Sequence, residues 1–285
     1  TLGLLLSIGS GISNAVLDYL FIVVFQLGVA GAALATGIGQ CIPAVVGLIF
    51  FFTNKQGLHF TKFSFYKREL LQACYNGSSE MVSQLSMAVV TVLFNIVLMR
   101  IAGEHGVAAI TILLYGQFLF NSFYLGFSIG VAPIVGFQYG ARNKVLLRRV
   151  YRISFLFVIA SSIFLLGAAE VLSRPIITIF THDAETFPLA LTGFRLFAFC
   201  FLFSGVNITS SGFFTALSNG RVSAILSFCR TFVFTAVCLI VLPHFLGING
   251  AWIAVPAAEA LTLLISMYMH QKYFVRPGKQ NYFAE

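Results

Sequence analysis

The run G-F-S-I-G-V-A-P-I-V-G-F-Q-Y-G-A-R-N, residues 126–143, decides what kind of molecule this chain is. Its first dozen residues are apolar apart from Ser128, and Gly126, Gly130 and Gly136 are spaced so that neighbouring helices can approach closely. Pro133 removes one backbone hydrogen bond inside that helix, which predicts a bend there. Tyr139-Gly140-Ala141-Arg142-Asn143 then ends the apolar stretch, and a basic run follows. Such a segment is a membrane helix, able to bend, that leaves the bilayer at a positively charged surface.

The rest of the chain has the same character. It is 59% hydrophobic and 9% charged, against roughly 25% charged residues in a soluble domain, which excludes an ordinary soluble fold. Apolar stretches fall at about 2–25, 31–53, 73–101, 107–137, 150–170, 188–214, 222–243 and 250–270, each near or above the roughly 20 residues that cross a bilayer as helix. No period-2 alternation with turn signals recurs, which argues against a β-barrel. The expected fold class is an all-α polytopic membrane protein.

The five cysteines, at 41, 74, 200, 229 and 238, lack any C-x-x-C spacing and read as packing residues. The five histidines sit in loops or at helix ends without ligand spacing, so no metal site and no cofactor is expected. The net charge of +8 is unevenly distributed. Fourteen of the seventeen basic residues fall on one side of an alternating topology: in 54–68, in 141–152, at Arg221 and Arg230 around the next alternate turn, and in the tail. The opposite loops hold Arg100 and Arg174 among Glu104, Glu170, Asp183 and Glu185. By the positive-inside rule the basic loops and both ends of the chain are cytoplasmic. The basic and aromatic interleaving in 54–68 fits anchoring at the inner leaflet rather than nucleic-acid binding.

The run P-I-V-G-F-Q-Y-G-A-R-N at 133–143 resembles the helix-end signature of the MATE family of multidrug and toxic compound extrusion transporters. A second resemblance lies in Asn14-Ala15-Val16-Leu17-Asp18, followed by Leu27-Gly28-Val29-Ala30-Gly31-Ala32-Ala33-Leu34-Ala35-Thr36. The likeness covers essentially the whole chain. It implies MATE-like bundles: the last two helices of a first bundle at 1–53, a cytoplasmic linker at 54–68, a complete six-helix second bundle at 69–271, and a cytoplasmic tail at 272–285. The chain starts at Thr1 and enters a membrane helix almost at once, so it is expected to be a piece of a longer protein. An internal repeat points the same way without the family. Leu27-Gly28-Val29-Ala30-Gly31-Ala32 matches Leu246-Gly247-Ile248-Asn249-Gly250-Ala251 at an offset of 219 residues, which also pairs Gln40 with Glu259.

Charge buried in hydrocarbon is expensive, so intramembrane ionisable residues are the informative ones. Asp18 lies well inside the first helix, where desolvation favours the neutral acid and lets it load and release a proton. Asn14, one helical turn away, is placed to hydrogen-bond that carboxyl group. The N-x-x-x-D pattern also resembles the MATE position that faces the amino-terminal cavity. Glu80 and Gln84 share a face near the start of the third helix and are a second candidate pair for a cation path. Glu259, three residues after Pro256, has an amide as its repeat partner and reads as an uncharged carboxyl held by hydrogen bonds. Arg195 reads as a side chain that snorkels to the outer interface, and Asn121 and Asn207 as interhelical hydrogen-bond groups. Gly130, Pro133, Gly136, Tyr139 and Gly140 make up the helix-bend and signature group.

No acid occurs between Glu80 and Glu104 or between Glu185 and Glu259. That departs from sodium-coupled members of the family and favours protons over sodium. The resulting expectation is an alternating-access antiporter for amphipathic, cationic small molecules, a monomer in the plasma membrane with no nucleic-acid partner. The alternative is a lipid-linked saccharide flippase of the same superfamily, whose anionic cargo calls for basic residues inside the cavity. No P-loop and no intramembrane protease motif is present, so neither an ATP-driven pump nor an enzyme is expected.

Overall fold

The computed structural model describes residues 2–54, 60, 65–275 and 282–283, and leaves out the side chains of residues 2, 76, 79 and 80. Most of the 54–68 linker therefore lies outside the described residues. Two compact units emerge, Thr1–Tyr66 and Lys67–Glu285.

The first unit is a helical hairpin. α1 (Leu2–Asp18) widens into a π-helical turn over Tyr19–Val24, and α2 (Gly28–Thr53) returns beside it. Gln26 and Gly28 take left-handed backbone angles in the connection. A Cβ on Gly39 would lie 3.1 Å from that of Asn14, and the Ser10 hydroxyl donates to the Gly39 carbonyl at 2.6 Å. The helices thus touch backbone to backbone around residues 10, 14 and 39.

The second unit opens with a continuous stretch, Lys67–Gly140, that is two helices. Gly103 breaks it at φ 60°, ψ −148°, a region that is essentially open to glycine alone. We label the two parts α3 (67–102) and α4 (104–140). Then come α5 (Lys144–Phe180), α6 (Thr186–Ala198), α7 (Phe201–Ala216), α8 (Gly220–Leu246, with a π turn at Cys229–Val233) and α9 (Ile248–His270, widening over Gln271–Val275). α6 and α7 meet at 53° and together make one broken span. Counted this way, the described residues contain eight spans, in the expected order.

Two expectations need correction. The 188–214 stretch is a bent pair rather than one helix. α5 begins and ends well beyond 150–170; its 37 residues reach roughly 55 Å at 1.5 Å per residue, longer than the bilayer core. It therefore takes in Glu170 and Arg174, which hydropathy had placed in a loop. α4 keeps helical backbone angles through Pro133, and the non-helical residue within Lys67–Gly140 is Gly103.

The glycines expected to admit close neighbours are also reassigned. A Cβ on Gly126 or Gly130 would meet nothing within 4 Å, and one on Gly136 would reach only the Ala216 carbonyl at 3.6 Å. The tight approaches lie elsewhere. A Cβ on Gly193 would lie 3.0 Å from the Trp252 ring, one on Gly205 would collide with Tyr124, and one on Gly212 with Ser128. Around these contacts Phe94, Phe194, Phe197, Phe201 and Trp252 form the main core. A smaller cluster at the far end joins Val135, Leu147, Phe213 and Phe274. It is capped by Tyr282, whose hydroxyl accepts from Asn219 Nδ2 at 3.0 Å and whose ring meets Tyr139 at 5.7 Å. Leu, Ile and Phe side chains exposed along α1, α2 and α5 are those expected to face lipid.

The repeat has a conformational basis. Gly28 and Gly247 both sit at φ 56°. Three residues on, Gly31 and Gly250 both press against the preceding helix, and a Cβ on Gly250 would collide with the Leu242 carbonyl. At the other helix ends, Asn143 and Asn219 each follow a left-handed residue and accept from the amide three residues on, at 3.1 and 3.3 Å.

At the end marked by Gly103, His105 joins two connections. Its Nδ1 lies 3.1 Å from Asp183 Oδ2 and 2.9 Å from Thr186 Oγ1, and its Nε2 lies 3.1 Å from Glu185 Oε2. The Thr186 amide donates to Asp183 at 2.7 Å, which caps α6. Hydrogen bonds from the Thr186 side chain and then its backbone hold the Asp183 carboxyl below the usual carboxylate range.

Two measurements check this architecture. In detergent, Gly250→Ala should lower the thermal unfolding midpoint by the equivalent of about 1–3 kcal/mol, whereas Gly126→Ala should not change it. Because the Asp183 carboxyl is depressed in the folded state, its cap is fully present above its unfolded value and is lost as pH falls through the folded one. Hydrogen exchange at the start of α6 should therefore accelerate on acidification, and Asp183→Asn should remove that dependence.

Candidate functional site

Ionisable residues lie within the spans of both units. In the first, Asp18 closes the regular part of α1 just before the π turn, with Phe25 N–H reaching the Leu20 carbonyl at 2.9 Å. Such wide turns recur at functional positions because they redirect side chains and free carbonyls. Asn14 Nδ2 and Asp18 Oδ1 are both buried without a hydrogen-bond partner among the described residues. The expected Asn14–Asp18 hydrogen bond is therefore not made through these atoms. Their spacing puts both on one face, but each keeps an unused donor or acceptor. Unsatisfied buried groups of this kind are rare in native structures and call for an explanation.

In the second unit the polar residues are tied together. Asn207 on α7 is fully buried, and its Nδ2 donates to Glu259 Oε2 at 2.7 Å and to the Glu259 carbonyl at 2.9 Å. Its Oδ1 accepts from Ser266 at 2.9 Å. Arg230 Nη1 approaches Glu259 Oε1 at 3.3 Å, with side-chain exposures of 17% and 4%. Glu259 is thus held by hydrogen bonds from Asn207 and also lies within ion-pair distance of Arg230, a neighbour that the sequence reading did not include. Arg230 itself lies about ten residues inside the Gly220–Leu246 span rather than at its turn.

The local backbone explains how an arginine is tolerated there. The π turn at Cys229–Val233 reroutes the hydrogen bonds of this helix, and the Arg230 carbonyl accepts from the Thr235 hydroxyl at 2.8 Å. Arg230 Nε has no hydrogen-bond partner among the described residues. Further along α9, His270 is held between Ser210 Oγ at 2.7 Å and Tyr151 Oη at 3.1 Å. Between α7 and α8, Ser211 meets Ser223 and Ser227 at 2.8 Å each. The result is a polar seam binding α5, α7, α8 and α9.

The remaining candidates stand apart. Glu80 is on α3, but its side chain lies outside the described residues. Gln84 is exposed on the same helix. Asn121 accepts from Ser204 at 3.1 Å, an interhelical bond as expected. Arg195 lies 3.9 Å from Glu170 across α5 and α6. Gly130 lacks a close neighbour, while Gly136 and Tyr139 face α7 and Tyr282. Gly140 closes the long helical stretch. No group of three His, Cys, Asp or Glu side chains among the described residues is arranged to hold a metal ion.

Sequence reasoning missed Arg230 and Ser266 as partners of the Glu259–Asn207 pair, and His270 as a separate link between Ser210 and Tyr151. A signal for the first was available: Arg230 falls inside the apolar stretch 222–243, too far from its start to belong to the turn.

Comparison with known proteins fits this architecture. A family model described as MatE matches residues 81–241, more than half of the chain. The multidrug export protein MepA of Staphylococcus haemolyticus is 23% identical over 270 residues, which cover 94% of this chain and 58% of that protein. A crystal structure of MATE in the straight conformation superposes with a TM-score of 0.86 at 22% identity, covering 94% of this chain and 61% of the other. The Vibrio cholerae MATE transporter VcmN gives a TM-score of 0.77 at 23% identity, covering 93% and 60%. The chain thus spans about three-fifths of the length of the relatives it matches. It is a multi-pass membrane protein, and it belongs to the MatE family.

Proposed function

We propose that the chain is the carboxy-terminal part of a secondary antiporter that exports amphipathic cations in exchange for protons, with Asp18 as the coupling carboxyl. One observation carries this reading: Asn14 Nδ2 and Asp18 Oδ1, one helical turn apart on one helix face, are buried without hydrogen-bond partners among the described residues. An acid without a fixed partner has an unfilled place for a proton or a cation. MepA is a multidrug export protein, which supports a multidrug cargo. Protonated Asp18 releases the cargo outward, and loss of the proton towards the cytoplasm resets the site. The charge distribution supports a cytoplasmic position for both ends of the chain, and the scarcity of acids along α3 favours protons over sodium.

The lipid-linked saccharide flippase gains little support. Its anionic cargo needs free cationic side chains within the membrane, and Arg230 is already neutralised by Glu259. We assign the Arg230–Glu259–Asn207 group to fastening α7, α8 and α9 rather than to ion exchange.

Two experiments test these assignments. In vesicles carrying the full-length parent, Asp18→Asn should reduce uptake of a fluorescent cation driven by a proton gradient to the level of empty vesicles. Transport equal to the parent would end the coupling role. For the fastening group, Arg230→Met alone should cost about 3–5 kcal/mol by leaving a buried charge uncompensated. Arg230→Met combined with Glu259→Gln should recover part of that loss in thermal unfolding. A double variant as damaged as the sum of its parts would refute the pairing.

A further inference from the structure

Where α3 breaks into α4 and α5 turns into α6, the second unit carries an open groove of about 500 Å³, within the size range of small-molecule sites. Met99, Tyr115 and Phe180 supply its apolar wall, Thr111 and Thr181 contribute hydroxyls, and Glu104 is its one charged lining residue. The Tyr115 and Phe180 rings stand nearly parallel, 7° apart in plane with centroids 6.1 Å apart, yet both side chains remain more than half exposed. Stacked aromatic faces left open in this way attract cations and flat apolar rings.

The charges around the groove favour the same class of ligand. Asp183 and Glu185 are both engaged by His105. Glu104 makes no hydrogen bond or ion pair among the described residues. Arg100, the basic residue next to it in sequence, lies across the Gly103 break and does not pair with it. The groove also adjoins the end of the spans, where the chain passes from hydrocarbon to the polar connection at 181–185. A ligand there can keep its charge at the wet edge and its rings against the apolar wall.

We propose that this groove binds an aromatic monovalent cation, its charge on Glu104 and its rings against Tyr115 and Phe180. The choice of a transported cation rests on the exporter reading; binding at the groove is measurable without transport. In that reading it is a surface station for cargo at one end of the spans of the second unit, whereas Asp18 belongs to the first.

The test is calorimetric titration of the full chain in lipid nanodiscs with tetraphenylphosphonium, with empty discs subtracted. Glu104→Gln and Tyr115→Ala should each weaken binding about tenfold. Glu104→Asp should stay close to the parent, and uncharged triphenylphosphine oxide should not distinguish Glu104→Gln from the parent. Asp18→Asn should leave this binding unchanged, so that failure of the coupling role and failure of the groove are told apart. The proposal falls if the parent binds no more than empty discs, if Glu104→Gln and Tyr115→Ala bind like the parent, or if only Asp18→Asn weakens binding.

Discussion

The second unit depends on the way Asn207 uses its amide. In hydrocarbon no water is present to complete a hydrogen bond, so a buried polar group must find its partners within the protein. Asn207 donates twice to Glu259 and accepts from Ser266, so one side chain on α7 fixes two turns of α9. Glu259, now oriented, offers its other oxygen to Arg230 on α8. Neither charge would be stable there alone; together, with the amide between helices, they set the register of three spans. The π turn beneath Arg230 belongs to the same arrangement, because the arginine carbonyl is taken up by Thr235. Ion pairs of this kind add less to stability than to uniqueness, since burying two charges costs nearly what their attraction returns.

Much of the architecture was legible in the sequence. The eight apolar stretches, the repeat and the family signature fall where the structure has spans, hairpins and helix ends. The repeat was legible because its glycines answer to backbone constraints that few other residues meet: Gly28 and Gly247 share a positive φ, and Gly31 and Gly250 share a crowded face. The breaks were not. Hydropathy is averaged over roughly 19 residues, so a bend confined to Phe199 and Cys200 leaves no trace in it. Gly103 looked like any small residue in a loop.

The network around Glu259 was hidden for a different reason. Its partners are 29 and 52 residues away in the chain, on helices whose facing sides no single-sequence pattern reveals. Arg230 was counted with the turn because long basic side chains usually reach towards water. Its depth in the span outweighs that tendency once a buried carboxylate lies within reach. The glycine stripe failed in the opposite direction: spacing identified small residues correctly, but which small residues face a neighbour depends on helix rotation, which hydropathy does not specify. Gly193, Gly205 and Gly212 carry those contacts instead of Gly126 and Gly130.

The repeat also separates the two acids by their surroundings. At the same 219-residue offset, Glu259 corresponds to Gln40, Arg230 to Gly11, and Asp18 to Val237. Each unit therefore has one intramembrane acid in its terminal hairpin, carried by opposite members of that hairpin. In the second unit the acid has its own arginine, supplied where the first unit has a glycine. In the first, Asp18 has no ion pair among the described residues, and Oδ1 has no hydrogen bond. A carboxylate with a built-in cation is already neutralised and has little reason to exchange it. A carboxylate without one must take a proton or a cation from outside the hairpin each time it is buried. These surroundings support our proposal that the exchangeable charge belongs to Asp18 and the permanent one to Glu259.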